Sequence, residues 1–175
     1  MIIIVALGLI VGNKYVYSLF TLPIAANNIY EQQYQMHRFV VDYYRKPVAI
    51  NDLGYVSYKN NNYVLDLAGL GSAKVLNYTK NSDNALWMKT LSDNHHTKLA
   101  MIYPDWFKSI PNEWIRIGEL RLGKARITPA RDRVAFYATR QDAYGDIVRK
   151  LEDFIKTLPH GVVFAFENKA VHGYR

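Results

Sequence analysis

The chain opens on a continuously apolar run, MIIIVALGLIVG over residues 1–12, which Asn13 and Lys14 interrupt before YVYSLFTLPIAA resumes it over 15–26. A membrane-spanning helix needs about 20 apolar residues, and a run of roughly 10–14 more often serves another purpose. A secretory signal would carry basic residues ahead of the apolar run. None precedes Ile2, and Lys14 falls in the middle. Two readings stay open. One is a buried first strand turned by Gly8 or Gly12. The other is the tail of a membrane helix leading into an interfacial stretch, with Tyr15, Tyr17 and Phe20 as the aromatic belt of a bilayer surface. Residues 1–26 are therefore set apart as an apolar membrane-proximal segment from a single α/β domain over 27–175.

Further along, the periodicity changes repeatedly. Pro23, or Asn27 or Asn28 as a cap, predicts a helix start. Ile29, Gln33, Met36, Val40 and Tyr44 then recur on one helical stripe, and Lys46-Pro47 ends it because a residue before proline is pushed out of the α region. PVAINDLGYVSY (47–58) and NYVLDLAGL (62–70) read as two strands joined by the polar turn cluster at 59–62, a β-hairpin. Ser72 is placed to cap a helix running through Leu76. A second helix starts at Asn81 to Ser82 and carries Leu86, Trp87, Met88 and Leu91. KLAMIY (98–103) reads as a buried strand. WIRIGELRL (114–122) alternates as a half-exposed strand, with RVAFYAT (133–139) as its antiparallel partner. Thr139 with Asp142 forms a capping box, after which Ala143, Ile147, Leu151, Phe154 and Leu158 mark a helix that Pro159 stops. GVVFAF (161–166) closes the pattern as a strand, and the last residues are expected to fray. Strands alternating with helices predict a mixed β-sheet sandwiched by helices, with a membrane-helix remnant or interfacial segment at the N-terminus.

Composition narrows the chemistry. The 175 residues are half apolar and 21% charged, with a mean hydropathy of −0.16, which excludes a disordered chain and one made mostly of membrane spans. Cysteine is absent, so there is no disulfide, thiolate metal site or cysteine nucleophile. The net charge of +7 comes from 22 basic and 15 acidic residues. Its densest stretch, Arg121, Lys124, Arg126, Arg131, Arg133 and Arg140, is interleaved with apolar positions as on the solvated face of strands. That spacing favours a sheet face over a nucleic-acid footprint.

Few motifs carry chemistry. His37, His95, His96, His160 and His172 include no pair at the spacing of a helical zinc site, so no metal is expected. Gly69-Leu70-Gly71 follows a strand and precedes a helix, the setting of a phosphate loop, but Lys74 stands where the third glycine of a dinucleotide fingerprint belongs. No cofactor is expected. Ser57, Ser72 and Ser109 offer a serine triad on paper, without a nucleophile elbow. Asp52 and Asp66 stand out, because each sits inside an apolar run and must be hydrogen-bonded, paired or functional. The hairpin register would bring the two together. Either they bond loop amides or an arginine, or, with Asn51, they face a substrate or partner.

The segments around these acids resemble the soluble C-terminal domain of bacterial polytopic glycosyltransferases of the GT-C type, similar to the protein mannosyltransferases and the lipid A aminoarabinose transferase. The likeness is carried by IYEQQYQMHRFV, by a VAxNDxGxxxY strand (Val48, Asn51, Asp52, Gly54, Tyr58) and by a DLxGL strand (Asp66, Leu67, Gly69, Leu70). AMIYPDWF, GELRLG and RVAFYAT extend it over most of residues 24–166. The resemblance implies an extracytoplasmic (periplasmic) domain docked on a helical membrane portion that uses a polyprenyl-phosphate-linked sugar. It implies partners in the membrane, the membrane portion and the lipid-linked sugar; the charge spacing already argues against nucleic acid. Its catalytic acid belongs to an early loop that this chain lacks, so the chain alone is not expected to transfer sugar. Asn51, Asp52 and Asp66 are the candidates to face the membrane portion or the acceptor. The rivals are a free-standing membrane-anchored binding protein and a soluble nucleotide-binding α/β enzyme, which requires residues 2–11 to be a core strand.

Overall fold

The computed structural model describes residues 2–167. A long helix, α1 (Ile2–Glu31), leads through a break at Gln32 into α2 (Gln33–Arg38) and a π-helical turn, Phe39–Tyr44. There follow β1 (Val48–Ile50), α3 (Gly54–Ser57), β2 (Val64–Asp66), α4 (Ala73–Asn81), α5 (Leu86–Asn94), β3 (Leu99–Ile102), β4 (Ile115–Arg121), β5 (Arg133–Ala138), α6 (Tyr144–Ile155) and β6 (Val163–Phe166). The six strands form one mixed sheet in the order β2-β1-β3-β5-β4-β6. β1, β2 and β3 run parallel, and β5, β4 and β6 add antiparallel partners.

Helices pack on both faces of the sheet. Met36, Phe39, Val40 and Tyr44 join Ile147, Leu151 and Phe154 of α6 over Ile50, Met101, Phe136 and Leu120. On the opposite face Met88, with Leu67 and Trp114, packs against Ala49, Ala100, Ile102 and Ala135. Coverage on both faces explains why β1 and β3 read as unbroken apolar runs (VAI, LAMI). The α6 stripe is buried as its spacing requires, and Arg45 ends the π-helical turn in the left-handed conformation just before Pro47.

Four expectations give way to different structures. First, 47–58 and 62–70 do not form a hairpin. β1 and β2 pair in parallel with Val48 opposite Val64, and the chain between them makes a crossover through α3. The asparagines read as a hairpin turn instead shape that crossover: Asn60 Oδ1 accepts from the Asn62 amide at 2.9 Å, and Lys59 takes a left-handed φ of 47°. Second, residues 2–11 belong to helix α1 rather than a core strand, which removes the strand that the nucleotide-enzyme reading needs. α1 runs through Pro23 instead of starting there, and Asn28 caps nothing because its amide is turned sideways onto a distant loop. Third, Thr139 caps nothing. Its buried hydroxyl donates to Thr97 O at 2.7 Å, Asp142 pairs with Lys98, and α6 starts only at Tyr144. Fourth, β4 is largely buried rather than half exposed. A bulge between Arg116 and Gly118 re-aims it, and Gly118 is required there, since a Cβ would lie 2.3 Å from Ala165 O on β6. The tail expected to fray lies outside the described residues from 168 onward.

Phe154 is fully buried at the centre of the larger core, with Phe39 and Tyr43 rings at 5.2 and 5.3 Å. Phe154→Ala is expected to lower the unfolding free energy by about 3–5 kcal/mol, measured by urea titration; a loss below about 1 kcal/mol would contradict this packing.

Candidate functional site

In open α/β sheets ligands bind outside the carboxyl ends of strands, where the chain winds to opposite sides. Here that place is the end of β1, flanked by β2 and β3, and it is filled by the protein's own α1–α2 junction. Asn28, Glu31, Gln32, Gln33 and Gln35 are all buried. Each is matched by partners far away in sequence or across the helix. Asn28 Oδ1 accepts from the Ile127 amide at 2.8 Å and its Nδ2 donates to Ala125 O at 3.2 Å. Glu31 Oε2 accepts from the Gly123 amide at 3.0 Å. Gln32 Nε2 donates to Arg131 O at 3.0 Å, and Gln32 Oε1 accepts from the Tyr103 hydroxyl at 2.7 Å.

Asn51 and Asp52 belong to this joint. Asn51 Oδ1 accepts from the Tyr103 amide at 3.2 Å. Asp52 Oδ2 accepts from Gln33 Nε2 at 2.8 Å and lies 3.4 Å from the Tyr103 hydroxyl. Asn51 therefore holds the backbone after β3, and Asp52 holds the start of α2. Three buried atoms at this end, Gln33 Oε1, His37 Nδ1 and Asn51 Nδ2, have no hydrogen-bond partner among the described residues. Burial, with the Asp52 carboxylate beside it, pushes the Tyr103 phenol well above its ordinary 10.0, so it remains a neutral donor across the physiological range.

Asp66 stands apart from Asp52. The two share no hydrogen-bonding partner, because the parallel register sends them into different loops. Asp66 accepts from the amides of Ala68, Gly69 and Gly71 at 2.9, 2.9 and 2.7 Å. Gly69 holds a φ of +83° with Leu76 backbone 2.5 Å from where a Cβ would be, so the turn needs glycine. The amides that a phosphate loop would offer are thus already bound to a carboxylate, whose charge repels phosphate. Ser72 Oγ accepts from the Val75 amide at 3.3 Å and caps α4.

The basic stretch is mostly self-satisfied. Glu119, 7% exposed, accepts from Arg116 and Arg121 at 2.6 Å each and lies 3.5 Å from Arg133. Arg131 pairs with Asp105. Lys124 and Arg126 are exposed on the loop that Asn28 grips. Among the described residues no group of three or more histidines or acids is placed to hold a metal ion, and no helix is long and apolar enough to cross a membrane. His95 stacks on Tyr63 with centroids 4.6 Å apart.

Sequence reasoning missed the joint, although one signal was there: five amide side chains, Asn27, Asn28, Gln32, Gln33 and Gln35, crowd a helical stretch next to apolar positions. Glu119 had no such signal, because its neighbours in sequence look like a solvated strand.

The fold and joint define an α/β domain into which a long helix is keyed by buried polar side chains. The family described as "Domain of unknown function (DUF8728)" matches residues 27–137, and the chain belongs to that family. The match starts at the foot of α1 and ends in β5. No curated protein and no solved structure matches the chain.

Two outcomes follow from this geometry. Asp66→Ala leaves three loop amides without their acceptor and is expected to cost about 3 kcal/mol, while Asp66→Asn keeps part of the cradle and costs less; equal losses in calorimetry would contradict the cradle. The second concerns pH. Burial raises the phenols of both Tyr103 and Tyr44, with Asp146 adding to the effect at Tyr44. The folded state then retains protons that the unfolded state gives up above pH of about 10, so stability is full below that pH and falls as pH rises through it. Tyr44→Phe should flatten the decline in alkaline urea titrations; an unchanged slope would contradict it.

Proposed function

We infer that this chain is the membrane-proximal, extracytoplasmic domain of a membrane glycosyltransferase of the GT-C type, facing the acceptor or the membrane portion of an enzyme that uses a polyprenyl-phosphate-linked sugar. The observation that carries this reading is α1. Val16, Leu19, Phe20 and Leu22 are 52–75% exposed on a helix whose foot is locked into the domain by the joint. Apolar surface costs about 25 cal/mol per Å² in water, and a helix apolar around its circumference calls for apolar surroundings. A bilayer surface supplies them, with Tyr15 and Tyr17 at headgroup level. Lys124 and Arg126, exposed beside the foot of α1, suit contact with phosphate-bearing lipid.

The glycosyl-transfer part rests on the likeness of the Asn51-Asp52 and Asp66 segments to those transferases. In this reading the catalytic acid belongs to the membrane portion. Asp52 acts by position: its bond to Gln33 ties α2, which follows directly on α1, to the loop after β1. Asp66 shapes its own turn.

Two measurements test the reading. The full chain should float with vesicles of phosphatidylethanolamine and phosphatidylglycerol, and L19E together with F20E should release it; a chain that stays in the aqueous phase overturns the membrane part. In the transferase that carries the domain, Asp52→Ala should cut sugar transfer at least tenfold with the domain still folded by circular dichroism. Unchanged transfer removes Asp52 from the mechanism.

A further inference from the structure

We propose that the trough between α1, α2 and α3 is a stacking site for a neutral pyranose ring. The trough is open to solvent, measures about 390 Å³ and is lined by Ala26, Ile29, Tyr30, Tyr34 and Tyr55. Tyr30 and Tyr34 stack at 5.5 Å with their planes 21° apart and form one wall. Tyr55 packs edge-on against Tyr34, 5.4 Å away at 78°, and extends the same wall, on which Tyr30 and Tyr55 stay exposed. His37 lies beside both, with ring centroids 6.3 Å from Tyr34 and 5.5 Å from Tyr55, and its Nδ1 has no partner. None of the three phenol hydroxyls bonds to a described residue.

Each feature selects the ligand. A pyranose presents C–H groups on its faces and hydroxyls around its rim, so it needs flat aromatic walls edged with hydrogen-bonding groups. Tyrosine supplies both in one side chain. A lipid chain would be served by aliphatic walls, such as those α1 displays further up, and gains nothing from hydroxyls. A phosphorylated or carboxylated ligand needs a cation, and no charged side chain lines the trough. The volume falls at the small end of ligand pockets, roughly 300–1,000 Å³, which suits a sugar better than a nucleotide.

The joint builds this site. Gln33, bonded to Asp52, directly precedes Tyr34, and Asp52 leads into the turn that carries Tyr55. The bond that ties α2 to the loop after β1 therefore also holds Tyr34 against Tyr55. The trough stands on its own geometry, while its sugar's role as donor or acceptor rests on the glycosyltransferase reading above.

The test is saturation-transfer NMR on the full chain in lipid nanodiscs, with methyl glycosides of mannose, glucose and galactose as probes and uridine monophosphate as a charged control. At least one glycoside should receive saturation on its ring protons. Tyr34→Ala and Tyr55→Ala should weaken that binding at least tenfold, whereas Tyr63→Ala, an exposed tyrosine elsewhere, should leave it unchanged. Ala26→Trp fills the trough from an exposed position without removing a wall, so it should abolish binding even if the tyrosine variants fold poorly. Absence of binding by all three glycosides, binding that survives Ala26→Trp, or equal binding of uridine monophosphate each overturns the proposal. A chain that floats with vesicles but binds no glycoside fails only here. One that binds a glycoside but does not float fails only the membrane reading.

Discussion

The structure depends on a cluster of polar side chains buried where an α1–α2 helix pair meets the carboxyl end of the sheet. Burying an amide or carboxylate without partners costs several kcal/mol, so Asn28, Glu31 and Gln32 are tolerable only in the one arrangement that satisfies them, while Gln33 is held through its Nε2. Their partners are backbone groups of the loop at 123–131 together with Asp52 and Tyr103. An apolar contact would let α1 slide or rotate at little cost, because hydrophobic attraction is non-directional. A set of directional bonds to fixed backbone atoms does not. The joint thus specifies an angle, which matters for a helix that continues well beyond the domain it is keyed to.

The same joint decides what the sheet can do. The order β2-β1-β3 creates the switch point at which α/β proteins usually hold a ligand. In this chain the crevice is filled from within, and the nearby glycine turn is closed by Asp66. The usual site of the architecture is therefore used for attachment, and one of the open troughs lies outward of it, at the tyrosine-lined edge between α1, α2 and α3. The antiparallel half of the sheet serves a different need. Its charged face is held together around Glu119 by arginines that would otherwise be free to bind anions.

What could be read from the chain was whatever local pattern decides. The runs at 48–50 and 99–102, the α6 stripe and the Ser72 cap all follow from neighbours a few residues apart, and all stand in the structure. The failures came where distant partners decide. A polar cluster between two strand-like runs looks the same whether it closes a hairpin or lies in a crossover, and only the competition of β2 and β3 for β1 settles which. Thr139 looked like a cap because its true acceptor, Thr97 O, is invisible from its own neighbourhood. Asp52 and Asp66 were correctly singled out as acids needing partners. Their separation was illegible, since it depends on the strand direction that the local pattern misread.

Asp52 and Asp66 also show how two acids in similar surroundings can do unlike work. Asp66 binds amides within five residues of itself, so its influence ends at its own turn. Asp52 reaches across to Gln33 and Tyr103, which belong to a helix and to the segment just after β3. Loss of Asp66 loosens a loop, whereas loss of Asp52 leaves Gln33 unpaired at the junction and loosens Tyr34 against Tyr55. Any load carried down α1 must pass through that junction before it reaches the sheet. The joint that orients the helix and the trough that opens beside it are therefore mechanically one unit, with Asp52 the acid they have in common.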